Sequence, residues 1–261
     1  MKIAIIGGGN MGGAFALGLS QSGIFHPEDI TVTARSQETL SRISEQCPDI
    51  RTSLDNVIAI AGADYIVLAV KPWLVAPVLE HLKPHLDLSK QIIVSLAAGV
   101  SFDQLSELLG ENSILFRVIP NTAIAIRQSM TLISACRASQ EQIAQLIHIT
   151  DKLGKSILID EKQMTAATAL TSCGIAYAMQ YIKAAIQGAI ELGFYPHEAR
   201  KMIDQTLLGA AELLEHNDSM PDTEILKVCT PGGITIKGLN AMTASGFDHA
   251  VIEGLKKAAG K

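Results

Sequence analysis

The sequence predicts an α/β fold: a mostly parallel, doubly wound sheet in the first part and helices alone in the second. Three observations carry this. Short β-branched runs alternate with helix-like stretches from residue 2 to about residue 160. The first of these runs leads straight into a glycine-rich turn, and the strand pattern stops after Asp160. Alternation of that kind is the signature of parallel strands joined by crossover helices. The expected division is a dinucleotide-binding part, residues 1–160, and a helical part, residues 161–261.

Taken in order, the strand candidates are Ile3–Ile6, Ile30–Thr33, Tyr65–Val70, Ile92–Leu96, Ile114–Ile119, Thr131–Ser134 and Ser156–Ile159. Helical character falls between them at Met11–Ser20, Gln37–Gln46, Trp73–His81, Phe102–Leu109 and Gln140–Leu153. Beyond Asp160, Met164–Leu192 reads as one long Ala-rich helix, apolar round most of its circumference, which demands burial on several sides. A further helix is expected from Pro196 to Glu215. The second part is too small to cover such a helix alone, so self-association through it, as a homodimer, is expected.

The organising stretch is Lys2-Ile-Ala-Ile-Ile-Gly-Gly-Gly-Asn-Met-Gly-Gly13. Gly7, Gly9 and Gly12 stand in G-x-G-x-x-G spacing between a strand and a helix, the context in which the motif binds a dinucleotide. The three glycines serve a tight turn, close approach of backbone to a pyrophosphate, and close packing of helix on strand. The helix opened by Asn10, Met11 and Gly12 offers free N–H groups to the phosphates, and these residues complete the cofactor-binding set of this turn.

Ligands of such sheets sit beyond the carboxyl ends of the strands. The second strand ends in Thr33-Ala-Arg-Ser36 without the acidic residue that would hold a ribose 2′-hydroxyl, and Glu28 and Asp29 stand at its wrong end. Arg35 and Ser36 suit a 2′-phosphate instead, so NADPH is expected over NADH, with NADH still possible. Asn56 stands at a helix start, where it either contacts the nucleotide or caps the helix. Ala69, Val70, Lys71 and Pro72 follow the next strand; Ala69 leaves room, and Lys71 either faces the cofactor or is a solvated lysine. Ala97, in Ser95-Leu-Ala-Ala-Gly99, leaves space for a flat nicotinamide ring. Asn121, after Pro120, offers an amide that both donates and accepts. In the helical part, Gly232 and Gly233 precede a helix start and form a row of N–H groups suited to a carboxylate, with the Thr235 hydroxyl on the first turn; a plain helix-breaking turn is the alternative.

Composition excludes other classes. Aromatics make up 4% of the 261 residues, which argues against stacked-base recognition, and a net charge of -5 removes any global drive toward nucleic acid or anionic membrane. Cys47, Cys136, Cys173 and Cys229 show no C-x-x-C pairing, which points to a reducing compartment. His81 and His85 have helical ligand spacing, but Pro84 lies between them, so no metal site is expected. No uninterrupted apolar run reaches bilayer length, and a soluble, cytoplasmic protein is expected.

With these residues laid out, the chain resembles the pyrroline-5-carboxylate reductases over nearly its whole length. The likeness rests on GGGNMGG (residues 7–13), AVKP (69–72), AAGV (97–100), RVIPNT (117–122), Gly188 to Gly193, Gln205-Thr206 and PGGITI (231–236). It implies a Rossmann domain, an interleaved all-α dimerisation domain that often builds higher oligomers, NAD(P)H as cofactor, and a small-molecule substrate held between the domains. Two departures stand out. Ser172, Cys173, Gly174, Ile175, Ala176 and Tyr177 occupy the places where the family commonly has Gly-Ser-Gly-Pro-Ala-Tyr, and Leu226 stands where an acidic residue often precedes the PGG turn.

The implied reaction reduces 1-pyrroline-5-carboxylate to L-proline. A protonated cyclic imine is already an electrophile, so positioning matters more than acid–base machinery. No Ser-His-Asp or paired-carboxylate pattern is present. The substrate carboxylate is assigned to Gly232, Gly233, Thr235 and the Ser172–Gly174 region, Cys173 included. Asn121 is placed near the nicotinamide or the ring nitrogen, and Lys71 is kept as an electrostatic contributor; Thr235, Lys71 and Asn121 are the catalytic candidates. The rivals are a β-hydroxyacid dehydrogenase, whose G-x-G-x-x-x-K pattern Gly174 and Lys183 do not match in separation, and a catalytically silent NADPH-binding regulator.

Overall fold

The computed structural model describes residues 1–261. The chain divides into two compact units, Met1–Cys173 and Gly174–Lys261. In the first, β1 (Ile3–Ile6), β2 (Ile30–Thr33), β3 (Arg51–Ser53), β4 (Tyr65–Leu68), β5 (Ile92–Ser95), β6 (Leu115–Ile119), β7 (Ser129–Cys136) and β8 (Gly154–Leu158) form one sheet. Its order is β3-β2-β1-β4-β5-β6-β7-β8, parallel throughout except where β7 turns back antiparallel to β6. The helices of this unit are α1 (Asn10–Ser20), α2 (Gln37–Gln46), α3 (Asn56–Ile60), α4 (Val75–Leu82), α5 (Phe102–Leu109), α6 (Gln140–Asp151) and α7 (Met164–Thr171).

Both faces of the sheet are covered, which is why its inner strands read as unbroken apolar runs rather than alternating ones. On one face Ile5, Val32, Val67 and Val94 pack under Phe15 and Leu19 of α1, Ile43 of α2 and Leu146 and Ile149 of α6. On the other, Ile6, Ile66, Leu68 and Ile93 meet Ile60 of α3, Leu79 of α4 and Leu105 of α5. Residues two apart along a strand share a face, so each strand serves both cores.

Where expectation and structure differ, long-range pairing explains the difference. Sequence patterning gave no sign of β3, because Arg-Thr-Ser has no apolar residue; it exists only as an edge strand paired with Thr31–Thr33 of β2. The expected strand Thr131–Ser134 lengthens to β7 because it runs the full length of β6, Leu115 opposite Cys136 and Ile119 opposite Leu132. β4 stops at Leu68, and Ala69 and Val70 lie beyond it.

The second unit is helical: α8 (Gly174–Glu191), α9 (Pro196–Asn217), α10 (Pro221–Val228), α11 (Ile234–Ala244) and α12 (Phe247–Ala258). The single helix expected over Met164–Leu192 is two helices, α7 and α8. The Thr168 carbonyl accepts from both Ser172 N and Cys173 N, each at 3.0 Å, so one residue too many enters the turn and the ladder is interrupted. Apolar periodicity runs through this point and carries no trace of it. α7 stays with the sheet, its Met164 packed against Ile119 and Leu132. In the second unit Ala199 alone is buried, and large apolar side chains such as Leu192, Leu208, Leu213 and Ile252 stand exposed. At its α9–α10 corner, hydrogen bonds from Lys227, Ser219 and Asn217 hold the Glu224 carboxyl below its ordinary range. No helix is long and apolar enough to cross a membrane.

Tyr65 carries a testable consequence. Its ring is 2% exposed and its hydroxyl has no partner. Burial, with Asp64 beside it, pushes its pKa from 10.0 to about 12. The folded state therefore favours the neutral phenol; that contribution is complete below pH 10 and is lost as the pH rises toward 12. Tyr65→Phe removes an unsatisfied hydroxyl and should raise stability at pH 7 by about 1 kcal/mol in urea unfolding. It should also abolish the latest of the tyrosine ionisations in an alkaline absorbance titration.

Candidate functional site

The β1–α1 turn is built by what its glycines lack. Gly7 has φ +112, and a Cβ there would lie 2.7 Å from the Ala69 carbonyl oxygen. At Gly12 a Cβ would overlap the Gly7 carbonyl and sit 2.8 Å from the Ala69 Cβ. At Gly9 a Cβ would meet nothing within 4 Å, so this backbone faces open space. The turn thus presses against the end of β4 on one side and is bare on the other.

The Thr33 carbonyl at the end of β2 accepts from Gly7 N at 3.1 Å and Gly8 N at 2.6 Å. Those amides are spent. Gly9 caps α1 through its backbone, no side chain bonds the first turn, and no acidic residue lies in it. The amides from Asn10 to Gly12 therefore point out of a helix N-terminus with nothing of the protein's own to satisfy them, a ready anion cradle. Gly8, which the spacing does not single out, is as constrained as its neighbours: a Cβ would lie 2.9 Å from Ile43 Cδ1 and 3.0 Å from Val32 Cγ1. Its only signal in the sequence is the third consecutive glycine.

Arg35 and Ser36 lie exposed beyond β2. The Ser36 hydroxyl caps α2 by accepting from Thr39 N at 3.4 Å, while the Arg35 guanidinium has no protein partner. The cap of α3 is Asp55, whose Oδ1 accepts from Val57 N at 2.8 Å. Asn56 is therefore the first helical residue, and its amide is not spent on capping. Beyond β4, Ala69 and Val70 flank the Gly7 turn, and Lys71 and Pro72 are exposed at the head of a 3-10 turn, Pro72–Leu74. Ala97 is buried beyond β5 and precedes exposed Ala98 and Gly99.

Asn121, 8% exposed, is held on three sides. Its N–H donates to Ser129 Oγ at 3.1 Å, its Oδ1 accepts from Ala123 N at 3.0 Å, and its Nδ2 reaches the Thr171 carbonyl at 3.5 Å. One amide hydrogen and one lone pair stay free for a ligand. Through that last contact the fold brings Asn121 beside the end of α7, next to Ser172 and Cys173.

Gly232, Gly233 and Thr235 form a turn of their own in the second unit. Gly232 has φ +73, and a Cβ on Gly233 would lie 2.5 Å from Thr230 Oγ1. Gly233 caps α11 without a side-chain bond and no acidic residue follows in the first turn, so this helix too opens with bare amides; Thr235 is exposed among them.

One polar pairing near these loops was invisible in the sequence. Arg117, 7% exposed in mid-β6, pairs through Nη1 with Glu161 Oε1 at 2.7 Å, and the same oxygen accepts from Phe102 N at 2.7 Å. The partners are 44 and 59 positions apart in the chain, and no local pattern joins them.

Residues 161–261 match the family model for pyrroline-5-carboxylate reductase dimerisation, and residues 2–99 match the one for coenzyme F420-dependent NADP oxidoreductases. Pyrroline-5-carboxylate reductase 2 of Dictyostelium discoideum is 34% identical, the match covering 100% of this chain and 91% of that protein. The chain belongs to the pyrroline-5-carboxylate reductase family. Pyrroline-5-carboxylate reductase 1 of the same organism is 35% identical over 97% of this chain, which spans only 48% of that longer protein. The crystal structure of Plasmodium falciparum pyrroline carboxylate reductase with NADP bound superposes with a TM-score of 0.90 at 25% identity, covering 99% of this chain and 95% of that one. Ile175 stands at the head of α8, and the helix breaks before it, at the shared Thr168 carbonyl.

Two neighbouring glycines should behave oppositely. A Cβ on Gly13 would sit 3.5 Å from the Gly8 carbonyl oxygen, an ordinary contact. Gly13→Ala should therefore be neutral or stabilising by up to about 1 kcal/mol, the helix-propensity gain. Gly12→Ala should destabilise by more than about 1 kcal/mol and weaken dinucleotide binding, because the Gly7 carbonyl must move. Thermal melts with and without NADPH separate the two.

Proposed function

We propose that this chain reduces 1-pyrroline-5-carboxylate to L-proline with NADPH, residues 1–160 binding the dinucleotide and residues 161–261 serving self-association and substrate binding. The observation that carries it is that relatives bearing this activity in their names match the whole chain, first unit and second alike. The bare amides at the head of α1, with open space over Gly9, fit a pyrophosphate. When bound, the reduced nicotinamide supplies the hydride that the C=N carbon accepts.

The chain's own residues bind and orient. Amides from Gly9 to Gly12 hold the pyrophosphate, with Asn56 beside the nucleotide. Arg35, an unpartnered planar cation, takes the 2′-phosphate with Ser36, which selects NADPH over NADH. Ala69 to Pro72 and Ala97 border the ring and leave it room, Lys71 adding positive charge. Gly232, Gly233, the Thr235 hydroxyl and the Ser172–Gly174 segment take the substrate carboxylate, and the free lone pair of Asn121 Oδ1 accepts from the protonated ring nitrogen. The exposed apolar side chains of residues 174–261 are covered by a second copy, as a homodimer or larger oligomer. With no membrane-crossing helix, the cytoplasm is the proposed location.

The direct test is loss of NADPH absorbance with pyrroline-5-carboxylate and, separately, gain of NADPH absorbance with β-hydroxyacids and NADP. Turnover of the imine alone is expected; turnover of hydroxyacids alone, or NADPH binding with no turnover, defeats the reading. Thr235→Ala should raise KM for the imine about tenfold while the Kd for NADPH stays unchanged. Arg35→Ala should raise KM for NADPH at least tenfold and leave that for NADH within twofold, the loss of a charge-assisted pair costing about 1.5–3 kcal/mol. Equal wild-type KM values for the two nucleotides would remove Arg35 from the site.

A further inference from the structure

Glu161 stands on the 3-10 turn Glu161–Gln163 that leads into α7, away from every proposed ligand contact. A single carboxylate oxygen of it takes two donors: Arg117 Nη1 and the backbone N–H of Phe102, each at 2.7 Å. Phe102 is the first residue of α5 and ends the loop that carries Ala97, Ala98 and Gly99 away from β5. Arg117 lies on β6, aligned with Ser95 of β5, four residues before Asn121. α7 begins beside Glu161 and ends at Thr171, whose carbonyl receives the Asn121 amide. One carboxylate thus closes a ring of contacts through both strand ends on the nicotinamide side of the site.

α5 does not need Glu161 as a cap. Ser101 and Gln104 already form a reciprocal capping box there. The Arg117 guanidinium, in contrast, has no other carboxylate within reach, and its Nε is buried without any partner. A carboxylate spent on a helix that is already capped, and on a cation buried in β6 beside the end of the β5–α5 loop, sets position rather than helix stability alone.

We propose that Glu161 is a positioning residue for hydride transfer: it fixes the β5–α5 loop and the end of β6 so that nicotinamide and imine meet in reactive register. This rests on the function proposed above. Arg35 and Ser36, assigned above to the 2′-phosphate, follow β2 on the other side of β1 in the strand order and take no hydrogen bond from Glu161.

Glu161→Gln keeps the shape and one acceptor but leaves Arg117 a buried unpaired cation. It should lower kcat/KM for the imine at least tenfold, mostly through kcat, and raise the primary isotope effect with 4-deuterated NADPH. Calorimetric Kd for 2′,5′-ADP, a probe of the adenosine half alone, should stay within twofold. The double variant Arg117→Met with Glu161→Leu separates position from stability. Apolar replacement of a buried ion pair commonly keeps or raises stability, so its melting temperature should return to the wild-type range. Its kcat/KM should stay low, because the Phe102 amide has lost its anchor.

Recovery of activity together with melting temperature in the double variant would make the pair merely structural and overturn the proposal. So would wild-type kinetics in Glu161→Gln, or failure of both variants to fold. If wild-type protein does not reduce the imine, the proposed function itself fails, a result visible before any variant is made.

Discussion

The approach of the β1–α1 turn to the end of β4 is the constraint on which the first unit depends. Gly7 and Gly12 let the Ala69 backbone and side chain come within a distance that any Cβ would forbid. That closeness sets α1 down on the sheet, with Phe15, Ala16 and Leu19 fully buried. It also leaves the amides of Asn10 to Gly12 projecting past the strand ends. Core packing and the anion cradle are consequences of the same missing atoms, so neither can be altered without the other.

A second constraint is polar. The carboxyl edge of the sheet is held by groups that would cost heavily if unpaired: Asn121 between Ser129, Ala123 and Thr171, and Arg117 on Glu161. Buried networks of this kind have few alternative arrangements, because each broken bond strands a donor or a charge. They make the loops at that edge rigid without adding side chains to the space a ligand fills.

The helical unit follows a different logic. Its apolar residues are numerous, yet among them only Ala199 is buried within the chain. A helix layer of this composition needs cover from outside itself. That requirement agrees with the match of residues 161–261 to a dimerisation family. Its α11 turn repeats the device of α1, a glycine cap without a side-chain bond and with no acidic residue in the first turn.

Local chemistry was legible where one element carries it. Strand β2 and helices α2 and α5 have the bounds their patterns indicate, and the structure adds that Ser36 and Ser101 cap the two helices. The glycine turn, with its strand before and helix after, was readable for the same reason: all its parts lie in the unbroken stretch from Ile3 to Ser20. β3 was not, because three polar residues become a strand only by pairing with β2. Nor was the break between α7 and α8, which one carbonyl shared by two amides creates and no side-chain pattern records.

By itself the sequence determined the α/β class, the place of the phosphate-gripping turn and the change to helices, since these follow from short-range periodicity and glycine stereochemistry. Only the tertiary structure decided that Gly8 is hemmed in by Ile43 and Val32, that Asp55 rather than Asn56 caps α3, and that Glu161 answers Arg117. Gly8 and Glu161 meet partners at atoms distant in the chain, and the Asp55 cap rests on a carboxylate oxygen's distance from an amide; only folded coordinates give such spacings.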